Sequence, residues 1–348
     1  MTLTELSYYS RRFLPFLVLF FLILLIFYYS VKLFFVYLSS TQPKKIYTNP
    51  IFGKIKKPYL PEASSSAGFN FTLDTIEGRP ITASESAKVY FLPPSVARFG
   101  YREKIYLMAK AFGFDTAAVK YQLVEKMATF ADGRQKLTVD ITNFNFRYDY
   151  YFENESELFS NAFIPSKKEI ENKAIDFLTS AGRYPDELAK GKININLLRY
   201  NPQENNFAVV FQPNEANVVE VNFYRPDIDN TTIVTPGFPS SQNYVILTFF
   251  ESGFKVLRAQ VKFFEKSDEQ VGIYPLISGE LAWDKLKKGE GRVIAVPTFK
   301  RDIVIKNMFL AYFDPDIYQE YLQPVYVFLG EPNFVAYVPA VADEYFLE

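Results

Sequence analysis

YPLISGELAWDKLKKGEG, residues 274–291, is the stretch on which the fold turns. Ser278 stands where an N-cap accepts from the first free backbone N–H groups, and Glu280 sits near the positive end of the helix dipole. Leu281, Ala282 and Leu286 form an inward stripe at helical spacing, and Gly289 and Gly291 end the run. Three apolar runs follow, IVIKNMFLAYF (303–313), YLQPVYVFLG (321–330) and NFVAYVPAV (333–341). Each is short and β-branched or aromatic, so each predicts a strand. Val325 and Val327 alternate with Tyr326 and Phe328, which fits a sheet with one covered side. A helix laid on an antiparallel sheet is an α+β unit, spanning 269–348.

Working toward the N-terminus, the same kind of unit recurs without a repeated letter sequence. Over 161–268, Ser166-x-x-Glu169 is a capping box, Ile170, Ala174, Phe177 and Leu178 make a buried stripe, and Gly182 closes the helix. Strands are predicted at ININLLRY, NFAVVF, NVVEVNFY, NYVILTFF and KVLRAQVKFF. Over 69–160, Ile105, Met108, Ala109 and Phe112 share a helix face ended by Gly113. Two β-rich runs then flank Asp132-Gly133, a strong hairpin signal. The expected fold class is α+β, with repeated helix-on-antiparallel-sheet modules behind a single N-terminal transmembrane helix.

That helix is read from Phe13–Val31, FLPFLVLFFLILLIFYYSV, which carries no charge and is long enough to cross the hydrocarbon of a bilayer. The expected layout is a cytoplasmic tail over 1–12 and an anchor over 13–38. A stalk over 39–68 follows, marked by Pro43, Pro50, Pro58, Pro61 and SSSAG. Cleavage as a signal peptide is the alternative to an uncleaved anchor; no A-x-A pattern follows the apolar run. Flanking charge, Arg11 and Arg12 against Lys32, Lys44, Lys45, Lys54, Lys56 and Lys57, favours a cytoplasmic C-terminal side. Long domains, however, cross largely regardless of charge. The chain has no Cys, which suits an oxidising exterior. The expectation is therefore a single-pass protein of the cell membrane with its C-terminal domain extracytoplasmic.

The absence of both His and Cys excludes Ser-His-Asp and Cys-His catalysis and the zinc and haem sites built on those ligands. Carboxylate chemistry, a Ser-Lys dyad or a hard oxygen-bound cation is left. Asp227-x-Asp229 and Asp314-Pro-Asp316 have cation-ligand spacing, yet each stands at a Pro-marked break where Asp makes turns. No cofactor, no metal and no enzymatic activity are expected. With 38 Lys and Arg against 39 Asp and Glu, the chain lacks the concentrated positive charge that nucleic acid requires. The basic cluster of Lys44, Lys45, Lys54, Lys56 and Lys57 reads either as a solvated linker or as an attraction to anionic lipid or wall polymer. Asn70-x-Thr72, Asn154-x-Ser156 and Asn230-x-Thr232 match the glycosylation pattern.

Tyr274-Pro275-Leu276-Ile277-Ser278, Ala282-Trp283, Leu286, Gly289, Gly291, Leu310-Ala311-Tyr312 and Tyr321–Phe328 together resemble the PepSY-like module of membrane-anchored regulators of the YycH and YycI type. The resemblance covers about 245–342, is weaker over 163–243 and is architectural over 85–152. It implies a helix packed on a small antiparallel sheet, repeated behind one transmembrane helix, and a non-catalytic role in binding or regulating another envelope or membrane protein. An envelope scaffold or surface-attachment protein is the alternative. The residues singled out for partner binding are Trp283, which also reads as packing between helix and sheet, and, in an aromatic run too dense for one covered face, Phe144, Phe146, Tyr148 and Tyr150, with Tyr151 and Phe152 beside them, which otherwise form the seam between neighbouring units.

Overall fold

A computed structural model describes residues 3–41, 47–61, 64–153, 155, 157–295, 301–331 and 333–347. The chain divides into two units, Met1–Tyr47 and Thr48–Glu348. The first is the helix α1 (Leu3–Thr41). Its segment Phe16–Tyr37 has a mean hydropathy of 2.5 with none of that stretch buried, so it is apolar on every side and long enough to cross a membrane.

In the second unit the helices are α2 (Tyr101–Ala111), α3 (Glu157–Ser160), α4 (Lys167–Ser180), α5 (Asp186–Ala189) and α6 (Gly279–Lys287). The strands are β1 (Ser64–Ser65), β2 (Asn70–Leu73), β3 (Ser86–Phe91), β4 (Gln122–Val124), β5 (Met127–Ala131) and β6 (Gln135–Asp140). There follow β7 (Phe146–Tyr150), β8 (Ile193–Asn201), β9 (Asn206–Val210), β10 (Val218–Phe223), β11 (Thr232–Val234) and β12 (Tyr244–Phe250). The last six are β13 (Gly253–Val261), β14 (Val271–Pro275), β15 (Arg292–Ala295), β16 (Asp302–Phe313), β17 (Tyr321–Glu331) and β18 (Phe334–Pro339). The described strands form two nine-stranded sheets. The first runs β4-β5-β6-β7-β13-β12-β10-β8-β9 and is antiparallel throughout. The second runs β1-β15-β18-β17-β16-β11, with β2 beside β16 and β3 joining β17 to β14.

The local signals in the sequence act as their chemistry dictates. Ser166 Oγ accepts from Glu169 N at 3.3 Å and Ser278 Oγ from Leu281 N at 3.2 Å, so both helices start at a hydroxyl cap. Helices α2 and α4 lay Ile105, Met108, Ala109 and Ile170, Ala174, Leu178 into one continuous core with Phe130, Leu137, Val139 and Phe146 of the first sheet. Helix α6 lays Ala282 and Leu286 on the second sheet, where Tyr326 Oη donates to Ile277 O at 2.7 Å. Leu281, expected on that stripe, is 42 % exposed, because the buried face of so short a helix runs through Gly279, Ala282 and Leu286, spaced i, i+3 and i+7.

Two expectations change. The strands of 69–160 and 161–268 share one sheet: Phe146 pairs with Val261 and Tyr148 with Ala259, so β7 and β13 carry the ladder across the expected boundary at 160. The 39–68 stalk also fails over its described part. Ile55 and Leu60 are buried, Ile55 N donates to Tyr345 O and Leu347 N to Ile55 O, and Lys56 O accepts from Gln323 Nε2. Ser66 is buried, donating from Oγ to Leu286 O at 2.8 Å and accepting from Gly291 N at 3.1 Å. This strap covers the far side of β17, where Leu60 packs with Val234, Val325, Val327 and Tyr337. Both faces of β17 are therefore buried, not one. Of the basic cluster, Lys44 and Lys45 lie outside the described residues, Lys56 pairs with Glu320 at 3.3 Å, and Lys57 lies over the Phe346 ring.

Candidate functional site at the seam between the sheets

The sheets of the second unit meet where three strands end. The chain leaving β10 carries Arg225, whose side chain is completely buried. Arg225 Nε donates to Asp314 Oδ1 at 2.8 Å, Nη1 to Glu187 Oε2 at 2.9 Å, and Nη2 to Phe264 O. Its guanidinium carbon stands 3.9 Å from the centroid of Phe263. Asp314, which follows β16 in the second sheet, takes a further bond on Oδ2 from Gln242 Nε2 at 2.9 Å. Complete burial raises the Asp314 pKa, against the lowering effect of Arg225. Beside it Arg183 Nη2 donates to Asn145 Oδ1 and Phe263 O, and desolvation lowers the Arg183 pKa. A fully buried guanidinium is tolerated because each of its three nitrogens finds an acceptor and two of those acceptors are carboxylates.

Two clefts flank this lock. One, of about 410 Å³, is bounded by Met127, Phe264, Ile317 and Tyr318 with Thr138 and Gln260. At its rim Lys126 meets Asp140 at 3.1 Å and Lys262 meets Asp316 at 3.0 Å, so its charges are neutralised in pairs around an apolar floor. Ile317 is 54 % exposed there. The other cleft, of about 650 Å³, is polar, with Lys88, Tyr90, Glu187, Asp229, Lys266 and Asp268 among its walls. Lys88 sits 2.7 Å from Asp229 and holds its carboxyl below the usual range. Tyr90 donates to the same carboxylate, and burial, reinforced by Asp229, pushes its phenol up.

The aspartates read as possible cation ligands are thus spoken for. Asp227 takes Lys192 at 2.7 Å, Asp229 takes Lys88, Asp316 takes Lys262, and Asp314 takes Arg225. Asp229 and Asn230, both at positive φ, form the two-residue turn closed by the Ile228–Thr231 bridge. Among the described residues no cluster of three metal-ligating side chains occurs.

The aromatic run lies mainly in the core. Phe146, Tyr148 and Tyr150 point to the same face of β7, as period-two spacing requires, and that face is covered by α2 and α4. Phe112 meets Phe146, Tyr148 and Phe177 at centroid distances of 5.1, 4.8 and 5.0 Å. Tyr148 Oη donates to Gln135 Oε1 and Tyr150 Oη to Glu155 Oε1. Phe144 adopts φ 60° and lies half-buried under Lys104 Nζ, 3.8 Å from its centroid. Phe152 is buried and Tyr151 exposed. These residues make no exposed aromatic patch; Phe146 alone of the four candidates borders the apolar cleft. Trp283 is half-buried between Phe71 and Phe328, at 6.2 and 6.1 Å, in the helix–sheet interface. Of the glycosylation patterns, Asn70 Nδ2 donates to Asp302 Oδ1, Asn230 is exposed at its turn, and Asn154 and Ser156 lie outside the described residues.

The lock itself left a signal that sequence reasoning missed. Arg225-Pro226-Asp227-Ile228 and Asp314-Pro315-Asp316-Ile317 are the same tripeptide behind opposite charges, each following an aromatic-ended strand. The two segments meet through their first residues.

The class defined so far is an α+β protein with one N-terminal helix long and apolar enough to span a membrane. No family model matches the chain, and no curated protein matches its sequence. Among solved structures, that of an uncharacterised protein from Eubacterium rectale is similar at a TM-score of 0.34 and 13% identity, over 80% of this chain and 90% of that one.

Proposed function

We propose that the chain is a membrane-anchored, non-catalytic protein-binding module that faces the extracytoplasmic side and regulates an envelope or membrane protein. The observation that carries this reading is the cleft at the seam. Its floor of Met127, Phe264, Ile317 and Tyr318 is apolar, and its rim charges are already paired, which suits an apolar side chain of a protein partner. In this reading α2, α4 and α6, each with the strands beneath it, are three PepSY-like helix-on-sheet units of the YycH and YycI type.

A photo-crosslinking residue at position 317 of the full-length chain, expressed in its native membrane, tests the proposal. We expect crosslinks to one stoichiometric membrane or envelope protein, and loss of that protein's co-purification in Ile317→Asp, with retention in Ile76→Asp, which alters a remote exposed residue. Recovery of wall polymer or of a lattice of the chain itself would move the assignment to an envelope scaffold.

A further inference from the structure

The two sheets leave several edges, and all but one are blunted. β1 has two residues, β11 three and β2 four, and the outer edge of β14 is taken by Asn49, which exchanges N–H···O bonds with Ile273. β4 also has three and is bounded by Lys120, by Glu125 at φ 52°, and by Lys126. Short strands with flanking charge are the usual guard against edge pairing. β9 is longer, at five residues, and its own run is uncharged. The run Asn206–Phe211, NFAVVF, carries no charge and no Pro, and its backbone makes no described hydrogen bond beyond its pairing with β8. Val209 is 61 % exposed and Phe211 92 %. A bare, β-prone edge with two exposed apolar side chains is a template for another strand.

We infer that β9 pairs antiparallel with β9 of a second copy of this chain about a twofold axis at Val209, making one continuous sheet across the dimer. The sequence around Val209 is self-complementary in that register. Val209 faces Val209 of the copy, and Phe211 faces Phe207, which already packs at 5.6 Å on both Phe152 and Tyr200 and lies 5.3 Å from the Arg258 guanidinium. Each twofold contact therefore covers an exposed Phe211 with an existing aromatic cluster. Charge agrees as well: the facing runs Asn206–Gln212 carry no charged side chain, so nothing along the ladder repels a second copy. An isologous contact of this kind closes at two copies, and tethering both chains in one membrane raises their effective concentration.

The chain has no Cys, so single cysteines report the register cleanly. In full-length protein reconstituted into bilayers, Val209→Cys should form a disulfide-linked dimer under mild oxidation, because residues on the axis have Cβ atoms about 5 Å apart. Phe211→Cys should not, since it lies four residues, about 13 Å along the strand, from its own copy. Val209→Lys places like charges face to face and should convert dimer to monomer by light scattering in detergent, with the circular dichroism of the folded chain retained because Val209 is on the surface of each copy. Equal crosslinking of Val209→Cys and Phe211→Cys, a monomeric wild type, or a Val209→Lys dimer would each overturn the inference. A foreign strand bound to β9 in place of the copy would overturn it too.

Discussion

Arg225 and Asp314 are 89 positions apart in the chain, and their side chains meet at 2.8 Å with neither exposed to solvent. One closes a strand of the first sheet, the other a strand of the second, and the pair is the polar rivet of the seam. A buried pair is a poor source of net stability against an apolar replacement of both partners, yet losing one partner strands the other's charge. The Arg225–Asp314 pair thus fixes how the sheets meet more than it raises the total stability.

Arg225→Met should lower stability by about 3–5 kcal/mol, since it leaves Asp314 and Glu187 without their cation. Lys262→Met, which breaks a half-exposed pair with Asp316 in the same region, should cost less than about 1 kcal/mol. Denaturant midpoints of the two variants decide it. Equal costs would show that the seam does not depend on Arg225.

A chain beginning at Gly68 should be far less stable than one beginning at Thr48. The shorter form lacks Ile55, buried with Val89, Tyr274, Val341 and Phe346, Leu60, buried against β17, and Ser66, buried against α6. Removing two large buried aliphatic side chains costs on the order of 4–10 kcal/mol if each behaves as a core truncation. Comparable thermal melts for the two forms would return 48–66 to the role of a stalk.

Much of the local structure was legible because it is written in nearest neighbours. The caps at Ser166 and Ser278 and the turn at Asp132-Gly133 need only a few residues to act, and Asp132 Oδ1 indeed accepts from Arg134 N and Gln135 N. Joining β7 to β13 depends on a pairing between Phe146 and Val261 that no local pattern announces. The strap was hidden for a different reason. Its buried residues, Ile55 and Leu60, stand singly among Lys and Pro, so they show no period. Density alone leaves the aromatic run open between a binding surface and an interior seam; the deciding fact is that Phe146, Tyr148 and Tyr150 share one face of β7 under two helices.

Trp283 lies against Phe71 and Phe328 but keeps part of its surface in solvent. Trp283→Ala should therefore cost about 2–3 kcal/mol, below the range for a fully buried ring. As the chain's one Trp, it also reports itself by fluorescence. Emission should be blue-shifted from that of Trp in water and move red on unfolding; emission already at the water value in the native state would place the ring outside the interface.

Alkali should destabilise the second unit over a definite window. Burial pushes the phenols of Tyr224, Tyr274 and Tyr326 up to about 12, above the ordinary value of about 10. Their folded state favours the neutral form, so their contribution is fully present below about pH 10 and is lost as pH rises through 10 toward 12. Urea midpoints measured at steps across that interval should fall progressively, with part of the tyrosinate absorbance held back until the chain unfolds. Midpoints that stay level through the interval would contradict the burial of these rings.

If the chain regulates a partner as proposed, exchange of Phe16–Tyr37 for an unrelated apolar helix should leave that regulation intact, whereas release of the domain from the membrane should weaken it. The segment is apolar all round, has no Gly-x-x-x-Gly, and carries Ser30 and Lys32 as its notable polar groups, so it lacks the small-residue and polar surfaces by which membrane helices recognise one another. A tether acts differently: it holds the domain at a high local concentration beside partners in the same bilayer. Partner activity should be compared for three forms, the native chain, the helix-swapped chain and the released domain. Loss of regulation on the swap would mean that the native helix itself contacts the partner. Full regulation by the released domain at native abundance would show that binding needs no membrane at all, and the protein would then be a receptor for a soluble ligand.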